Sequence, residues 1–306
     1  MRMSVVDNQL TKTGYVLKIS GWMGRLGNHL IQLSCAINVA QKSKSLLIVP
    51  LHGILRKREY DFRLTGGDNC HEEITGSFFL QSDCYQYPIR FDQERRHIFL
   101  KHIRDQMLHR SLAGRLRDRF FPEPDTELDD DTLVVNMRSG TDIFRSSPPP
   151  QNDYMQPPLS FYKYIIETHG YRKCLIVSEP ERANPVIPAL LSWGRNRDIR
   201  IKTHKSVQND VATVLNAKHL IAAHSTFTWC LALMSKNIQV YHQPYTCRIR
   251  GVTDFDVHTY EFSNYIKPGE WTASDEQLEL MVKHPIDDVH LQVQPETFEP
   301  VSSACW

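Results

Sequence analysis

Three short stretches of the sequence place polar side chains beside glycines or at a helix start, where a phosphate or a sugar can be bound. They are Gly24-Arg-Leu-Gly27-Asn28-His29, Asn136-Met-Arg138-Ser-Gly140-Thr-Asp142 and His224-Ser225-Thr226. Each follows a short apolar run of the kind that forms a buried strand. The carboxyl ends of parallel strands and the free N–H groups of helix starts commonly bind anions in α/β proteins. The three stretches therefore predict a site for a phosphorylated or sugar ligand.

The glycine stretch at 24–29 allows the backbone to approach a ligand closely, and the helix that follows offers free N–H donors. Asn28, His29 and Gln32 fall on the first turns of that helix, where polar side chains can orient sugar hydroxyls. A tight turn with an ordinary helix cap explains the same residues without a ligand. From the residues alone both interpretations stay open.

The second stretch carries one arginine at the end of an apolar strand. A guanidinium in this place can hold a phosphate by forked hydrogen bonds, and Asp142 is placed to orient it. In the third stretch, Ser225 and Thr226 open a helix whose N-terminus can bind phosphate oxygens. The alternatives are an Arg–Asp pair that only ties a loop and a serine or threonine that only caps the helix.

Alternating strands and helices position these residues. In the first part of the chain, a strand at 15–20, a helix from 26 to 40 and a strand at 45–49 form a βαβ unit. An amphipathic helix is expected at 95–121 and a proline-rich acidic linker at 122–131. Beyond the linker the alternation restarts, with strands at 133–137, 174–178, 199–203 and 219–223 and helices at 160–168, 186–193 and 210–217. A last helix is capped by Ser274, with Gln277 in capping-box spacing.

This alternation predicts an α/β protein with two Rossmann-like lobes and a cleft between them. We place the N-terminal lobe at residues 1–125. The C-terminal lobe takes residues 126–306 with the last helix and tail.

Bulk composition narrows the class of protein. The 306 residues carry a formal net charge of +1, which argues against nucleic acid as the main partner. The seven cysteines contain no C-x-x-C pair, so neither a zinc cage nor a disulfide framework is indicated. No run reaches the ~18 apolar residues of a membrane span. We expect a cytoplasmic protein, or a soluble catalytic domain without its membrane anchor.

Taken in order, these stretches resemble the family of GDP-fucose-dependent α-1,2-fucosyltransferases. The glycine stretch is similar to that family's Gly-Gly-Leu-Gly-Asn-Gln start, and the Arg138 loop to its His-x-Arg-x-Gly-Asp motif. Further similar segments are Gly76–Tyr85, Gln156–Tyr162, Val177–Pro180 and Asp210–Trp229. The resemblance covers residues 15–235.

The resemblance implies a GT-B-like glycosyltransferase that transfers L-fucose from GDP-fucose to a glycan hydroxyl with inversion and without a metal or other cofactor. Arg138 and Asp142 would be catalytic. The donor would be bound by Arg138, Gly140, Ser178, Glu179, His224, Ser225 and Thr226. Donor or acceptor contacts in the N-terminal lobe would come from Gly24, Gly27, Asn28, His29 and Gln32.

The sequence departs from the family pattern at two places that bear on mechanism. Asn136 stands where the family has histidine, and Thr141 delays Asp142 by one position. Because an amide cannot act as a base near neutral pH, Asp142, Glu179, His224 or the leaving diphosphate would take the acceptor proton. A glycosyltransferase with another nucleotide-sugar and a non-catalytic nucleotide- or glycan-binding relative are the alternatives.

Overall fold

The computed structural model describes residues 16–19, 21–22, 24–42, 46–54, 59–61, 128–145, 150, 154–180, 183–195, 197, 200–203, 206–246 and 255–292. The chain divides into two compact units, one of residues 1–122 with 300–306 and one of residues 123–299. The domain boundary expected after residue 125 stays a prediction. The segment at 76–85 and the helix expected at 95–121 lie outside the described residues.

The described part of the first unit is a βαβ unit with one further strand. Strand β1 (Val16–Lys18), helix α1 (Leu26–Lys42) and strand β2 (Leu46–Ile48) follow in order. The two strands are parallel, with Val16 opposite Leu46, which confirms the predicted crossover. Strand β3 (Glu59–Asp61), which the pattern did not predict, pairs antiparallel with β2.

A seven-stranded sheet forms the centre of the second unit. Its strands are β4 (Thr132–Met137), β5 (Lys173–Ser178), β6 (Arg200–Thr203), β7 (His219–Ile221), β8 (Val240–Pro244), β9 (Asp256–Phe262) and β10 (Val289–Gln292). They lie in the order β10-β9-β8-β7-β4-β5-β6. Strands β4 to β9 are parallel, and β10 pairs antiparallel with β9 at the edge.

Helices connect most of these strands. They are α2 (Leu159–His169), α3 (Val186–Arg195), α4 (Val207–Leu215), α5 (Thr226–Met234) and α6 (Asp275–Lys283), with a short 3₁₀ helix at Ile286–Asp288. Serine hydroxyls cap three of them: Ser206, Ser225 and Ser274 each accept a hydrogen bond from a backbone N–H of the first turn. At α6 the expected capping box is half formed, because the Gln277 side chain accepts from the N–H of Thr272.

The strand order identifies the type of sheet. Numbered within the second unit, β6-β5-β4-β7-β8-β9 is the order 3-2-1-4-5-6 of the doubly wound Rossmann sheet. Every residue of β4 is buried, as in a parallel sheet covered on both faces. The α/β class and the second doubly wound sheet are therefore confirmed. The direction of winding reverses between β4 and β7, and the crevice outside their carboxyl ends is where such sheets bind ligands.

No described helix is both long and apolar enough to cross a membrane.

Candidate functional site

Side chains from four connections meet at the carboxyl edge of the second sheet. Residues 138–142 follow β4, Glu179 follows β5, and residues 224–226 lead from β7 into α5. Asp210 lies in the first turn of α4, which follows β6. The crevice between β4 and β7 thus has polar residues on both sides, at the place where the strand order predicts a ligand.

Arg138 is held by two carboxylates. Its Nε donates to Glu179 Oε1 at 2.5 Å, and its Nη2 donates to Asp142 Oδ2 at 3.1 Å. The side chain is 13% exposed, and its guanidinium carbon lies 5.8 Å from the centre of the Tyr154 ring. A guanidinium has five N–H groups, and the described residues occupy two of them. Nη1, with both of its N–H groups, has no hydrogen-bond partner in the described part of the chain and is available to an anion.

The loop after β4 is fixed by the loop after β5. Glu179 Oε2 accepts from the backbone N–H of Ser139 at 2.5 Å, so both oxygens of this carboxylate are engaged. Asn184 donates from Nδ2 to the carbonyl of Arg138 at 2.9 Å and from its backbone N–H to Ser139 Oγ at 3.0 Å. Its Oδ1 also accepts from the N–H of Val186 at the start of α3. The sequence analysis missed Asn184, although an asparagine before Pro185 is a helix-start signal.

Asn136 is a buried structural residue. Its side chain is 4% exposed, donates from Nδ2 to the carbonyl of Val177 at 3.3 Å, and accepts a hydrogen bond from the Thr228 hydroxyl. These bonds join β4 to β5 and to α5. The side chain of Asn136 therefore helps to hold these three elements together.

The N-terminus of α5 lies on the other side of the crevice. Ser225 Oγ accepts from the N–H of Phe227 at 3.2 Å, so the capping interpretation is correct for this serine. No acidic residue occupies the first turn, so no carboxylate of the helix itself offsets the positive end of its dipole. His224 is half-buried, and its ring lies edge-on to Tyr154 at 6.0 Å between ring centres. Tyr154 therefore lies between Arg138 and the start of α5.

The other two donor-site predictions fall in the same region. Ser178 is half-buried, and its hydroxyl donates to the carbonyl of Glu179 at 3.3 Å. Gly140 is buried, and its carbonyl accepts from the N–H groups of Ile143 and Phe144, which closes a turn around Asp142. All seven predicted donor-binding residues thus lie at this one edge of the sheet, at strand ends, in loops or at the start of α5.

Asp210 is the carboxylate at this edge that the predicted set lacked. It is 9% exposed, and its Oδ1 is buried with no hydrogen-bond partner in the described part of the chain. Burial raises the pKa of this carboxyl from 3.8 to about 6, and the charge of Glu179 raises it as well. An acidic residue in a first helical turn is normally a solvent-exposed partner of the helix dipole, so sequence pattern gave no sign of its burial.

In the first unit, the glycine turn has the conformation that its sequence predicts. Gly24 has φ = 72°, and a β-carbon built there would collide with the side-chain amide of Asn28. Gly27 is buried in the first turn of α1, and Asn28 beside it is half-buried. Gln32 is fully buried and donates to the carbonyl of Gly21 at 3.4 Å. The turn therefore requires a glycine for the helix to begin where it does.

His29 belongs to a hydrogen-bonded pair. The N–H of Ile54 donates to His52 Nδ1, which leaves His52 Nε2–H to donate to His29 Nδ1 at 2.8 Å. His29 Nε2–H then donates to the carbonyl of Gly24 at 3.1 Å. Both rings are neutral in this arrangement. Burial lowers the pKa of each imidazole, and the charge of His29 lowers that of His52 further.

Comparison with known proteins gives structural likenesses only. No model of a known protein family matches the chain, and no curated protein does. POFUT1 in complex with GDP-fucose is similar at 10% identity over 76% of this chain and 99% of that one, with a TM-score of 0.41. The E. coli heptosyltransferase WaaC with ADP-2-deoxy-2-fluoro heptose is similar at 10% identity, over 87% and 98%, with a TM-score of 0.43. A mutant of Arabidopsis thaliana FUT1 in complex with GDP is similar at 13% identity, over 93% and 76%, with a TM-score of 0.38.

Proposed function

We propose that this chain is a glycosyltransferase that uses a nucleoside diphosphate sugar, with GDP-fucose as the donor and a glycan hydroxyl as the acceptor. The observation that carries the proposal is the fixed guanidinium of Arg138 at the switch point of a Rossmann sheet. Its unused N–H groups and the start of α5 offer hydrogen-bond donors to an anion in the described part of the crevice.

Arg138 would stabilise the diphosphate as it leaves. In an inverting transfer, the acceptor oxygen forms its bond to the anomeric carbon while the bond from that carbon to the β-phosphate oxygen breaks. The charge that develops on the diphosphate is met by the guanidinium and by the helix dipole of α5. Such a site needs no metal to neutralise the leaving group, so we propose metal-independent chemistry.

Among the carboxylates, Asp142 is the best-placed base. Both oxygens of Glu179 already accept hydrogen bonds, and its side chain is 19% exposed. Asp142 holds Arg138 by one bond and is 47% exposed. A phosphate oxygen that takes over the Nη2–H of Arg138 would break the bond between Arg138 and Asp142, and we propose that Asp142 then accepts the proton of the acceptor hydroxyl.

Asp210 would complete the donor site. Its buried Oδ1 lacks a hydrogen-bond donor in the described part of the chain, and ribose hydroxyls and base N–H groups are donors of the kind it lacks. We propose that the nucleoside part of the donor lies against this carboxyl. The other side of the reaction, binding of the acceptor by the residues around Gly24, also remains a proposal.

Replacing Arg138 tests the proposal directly. Transfer and hydrolysis are measured with a panel of nucleotide-sugars, GDP-fucose among them, and with an array of glycans as acceptors. We expect Arg138→Ala to lower turnover by roughly a hundredfold or more, as removal of a transition-state ligand does. Arg197→Ala is the matched control, because Arg197 is an exposed arginine that pairs with Glu167 outside this edge.

Unchanged turnover in Arg138→Ala would contradict this role. Binding of GDP without any release or transfer of sugar would favour the non-catalytic relative instead. The main sequence argument for a non-catalytic relative was that Asn136 stands in place of a possible catalytic base. The burial of Asn136 weakens this argument. A residue that is 4% exposed cannot contact an acceptor, so a base would not be needed at this position.

A further inference from the structure

A cluster of three histidines that could bind a metal ion lies in the same unit, away from the crevice. It consists of His169 at the end of α2, His242 in β8 and His258 in β9. His242 and His258 are register partners on neighbouring parallel strands and therefore share a face of the sheet. Helix α2 returns from the carboxyl edge toward the amino edge, so its last residue lies far along the sheet from Arg138.

The three imidazoles converge on one point. One ring nitrogen from each lies within 4.8 Å of the corresponding nitrogens of the other two. Ring centres are 4.9 Å apart for His169 and His242 and 5.2 Å apart for His242 and His258. Ligand nitrogens around a tetrahedral Zn²⁺ at about 2.0–2.1 Å are roughly 3.4 Å apart. Binding of Zn²⁺ would draw the three nitrogens somewhat closer together, and His169, the exposed member of the three, is the side chain with most freedom to move.

Neighbouring hydroxyls orient the central ring. His242 Nδ1 is 2.9 Å from the Tyr260 hydroxyl, whereas His242 Nε2 is 3.5 Å from that of Tyr171, at the outer limit of a hydrogen bond. If Nδ1–H donates to Tyr260, the lone pair of Nε2 remains for a metal. A partner on the second ring nitrogen is the usual support of a metal-binding histidine.

Orphaned polar atoms mark the cluster as incomplete. His258 Nδ1 is buried without a hydrogen-bond partner in the described part of the chain. Leaving such an atom unpaired is unfavourable, and a bound ligand can remove the penalty. Packing of aromatic rings alone explains the stacking of these residues but leaves that atom unpaired.

The ligand set of the cluster suits a borderline metal. The three side chains that lie close together all offer imidazole nitrogens. A set of imidazole nitrogens with no carboxylate among them favours Zn²⁺ over Mg²⁺ or Ca²⁺, which prefer oxygen.

We propose that His169, His242 and His258 form a Zn²⁺ site that ties the end of α2 to strands β8 and β9. The site is structural, since it lies toward the amino end of the sheet and the proposed transfer takes place at the carboxyl end. The Zn²⁺ ion would therefore stabilise the fold and take no part in the transfer reaction.

Zinc binding by the full chain, prepared without a histidine tag and stripped with a chelator, tests the proposal. We expect one Zn²⁺ per chain by calorimetry and elemental analysis, and visible d–d bands of a nitrogen-ligated ion when Co²⁺ is substituted. Loss of an outer-shell partner alone weakens metal binding by about 10- to 100-fold. His169→Ala removes a ligand and should weaken zinc binding at least as much, and its exposed position lets the chain fold.

His290→Ala is the matched control, because His290 is an exposed histidine on β10 outside the cluster. It should bind zinc as tightly as the unaltered chain does. His258→Gln gives a second ligand variant, with a side chain of similar size. No stoichiometric zinc binding, or equal affinity in the unaltered chain and in His169→Ala, would overturn the proposal.

Discussion

Replacing Asp210 by asparagine should stabilise the protein at neutral pH while weakening its binding of GDP. The asparagine side chain has nearly the same shape and cannot ionise. In the folded chain, burial and Glu179 raise the pKa of this carboxyl from 3.8 to about 6. Because the folded-state pKa of this carboxyl is raised, the neutral form stabilises the folded state relative to the ionised form. This contribution to stability is complete below pH 3.8 and is lost as the pH rises through 6. At neutral pH the ionised group therefore opposes folding.

The size of this effect follows from the pKa difference. A shift of one pKa unit corresponds to about 1.36 kcal/mol, so the change from 3.8 to about 6 gives at most about 3 kcal/mol at pH 7.5. At pH 5 the folded carboxyl is already largely protonated, so the gain from Asp210→Asn should fall to roughly half of that value. The free energy of unfolding in urea, measured at both pH values, gives both numbers.

A control variant and a GDP-binding measurement test whether the effect comes from the buried Asp210 carboxyl. Asp287→Asn, at an exposed position in the 3₁₀ helix, should leave the free energy of unfolding nearly unchanged at either pH. If Asp210 contacts the nucleoside, Asp210→Asn should also weaken GDP binding by about tenfold, the loss of one hydrogen bond to a charged group. A variant that is less stable at pH 7.5, or whose gain does not depend on pH, would refute the reasoning about this carboxyl.

Other predictions concern the first unit and the histidines. Gly24→Ala should lower the free energy of unfolding of the first unit by about 1–3 kcal/mol, because alanine is strained at φ = 72° and its β-carbon collides with Asn28. Gly53→Ala is the control in the same denaturation experiment, because no atom lies near the added carbon. Acidification below pH 6.5 should destabilise the metal-free chain. The folded-state pKa values of His29, His52 and His169 are lowered, so the unfolded chain binds protons more tightly than the folded chain does. A thermal midpoint of unfolding that does not change between pH 7.5 and pH 5.5 would contradict this prediction.

The sequence predicted strands β4 to β7 of the second sheet well, for a physical reason. Strands β4, β5 and β7 are short, continuous apolar runs separated by helical periodicity, and local pattern alone indicates them. Strands β8, β9 and β10 were missed, because Val240–Pro244 and Asp256–Phe262 carry histidines, glutamine and acidic residues. Their side chains make sense only once α2 and the neighbouring strands surround them.

The residues of the candidate site also fall into two groups, those that the local sequence pattern indicates and those that only the tertiary structure reveals. Arg138 and Ser225 follow apolar strands and are visible from chain position, whereas Asp210 and Asn184 act through contacts with residues 31 and 46 positions away in sequence, Glu179 and Arg138. The histidine cluster is the extreme case. Its three members lie in separate elements with no recognisable spacing, so only the register of β8 and β9 and the end of α2 bring them together.

The turn that contains Thr141 and Asp142 has a structural consequence for Arg138. The turn closed on the Gly140 carbonyl brings the side chain of Asp142, four positions after Arg138, to 3.1 Å from Nη2. Glu179 fixes the other side of the same guanidinium, so Arg138 loses little freedom on meeting an anion. The two carboxylates also cancel its charge in the free protein, which means that a diphosphate can bind strongly only if one of them gives way. Asp142, which is the more exposed and has the weaker bond to Arg138, is the one that can.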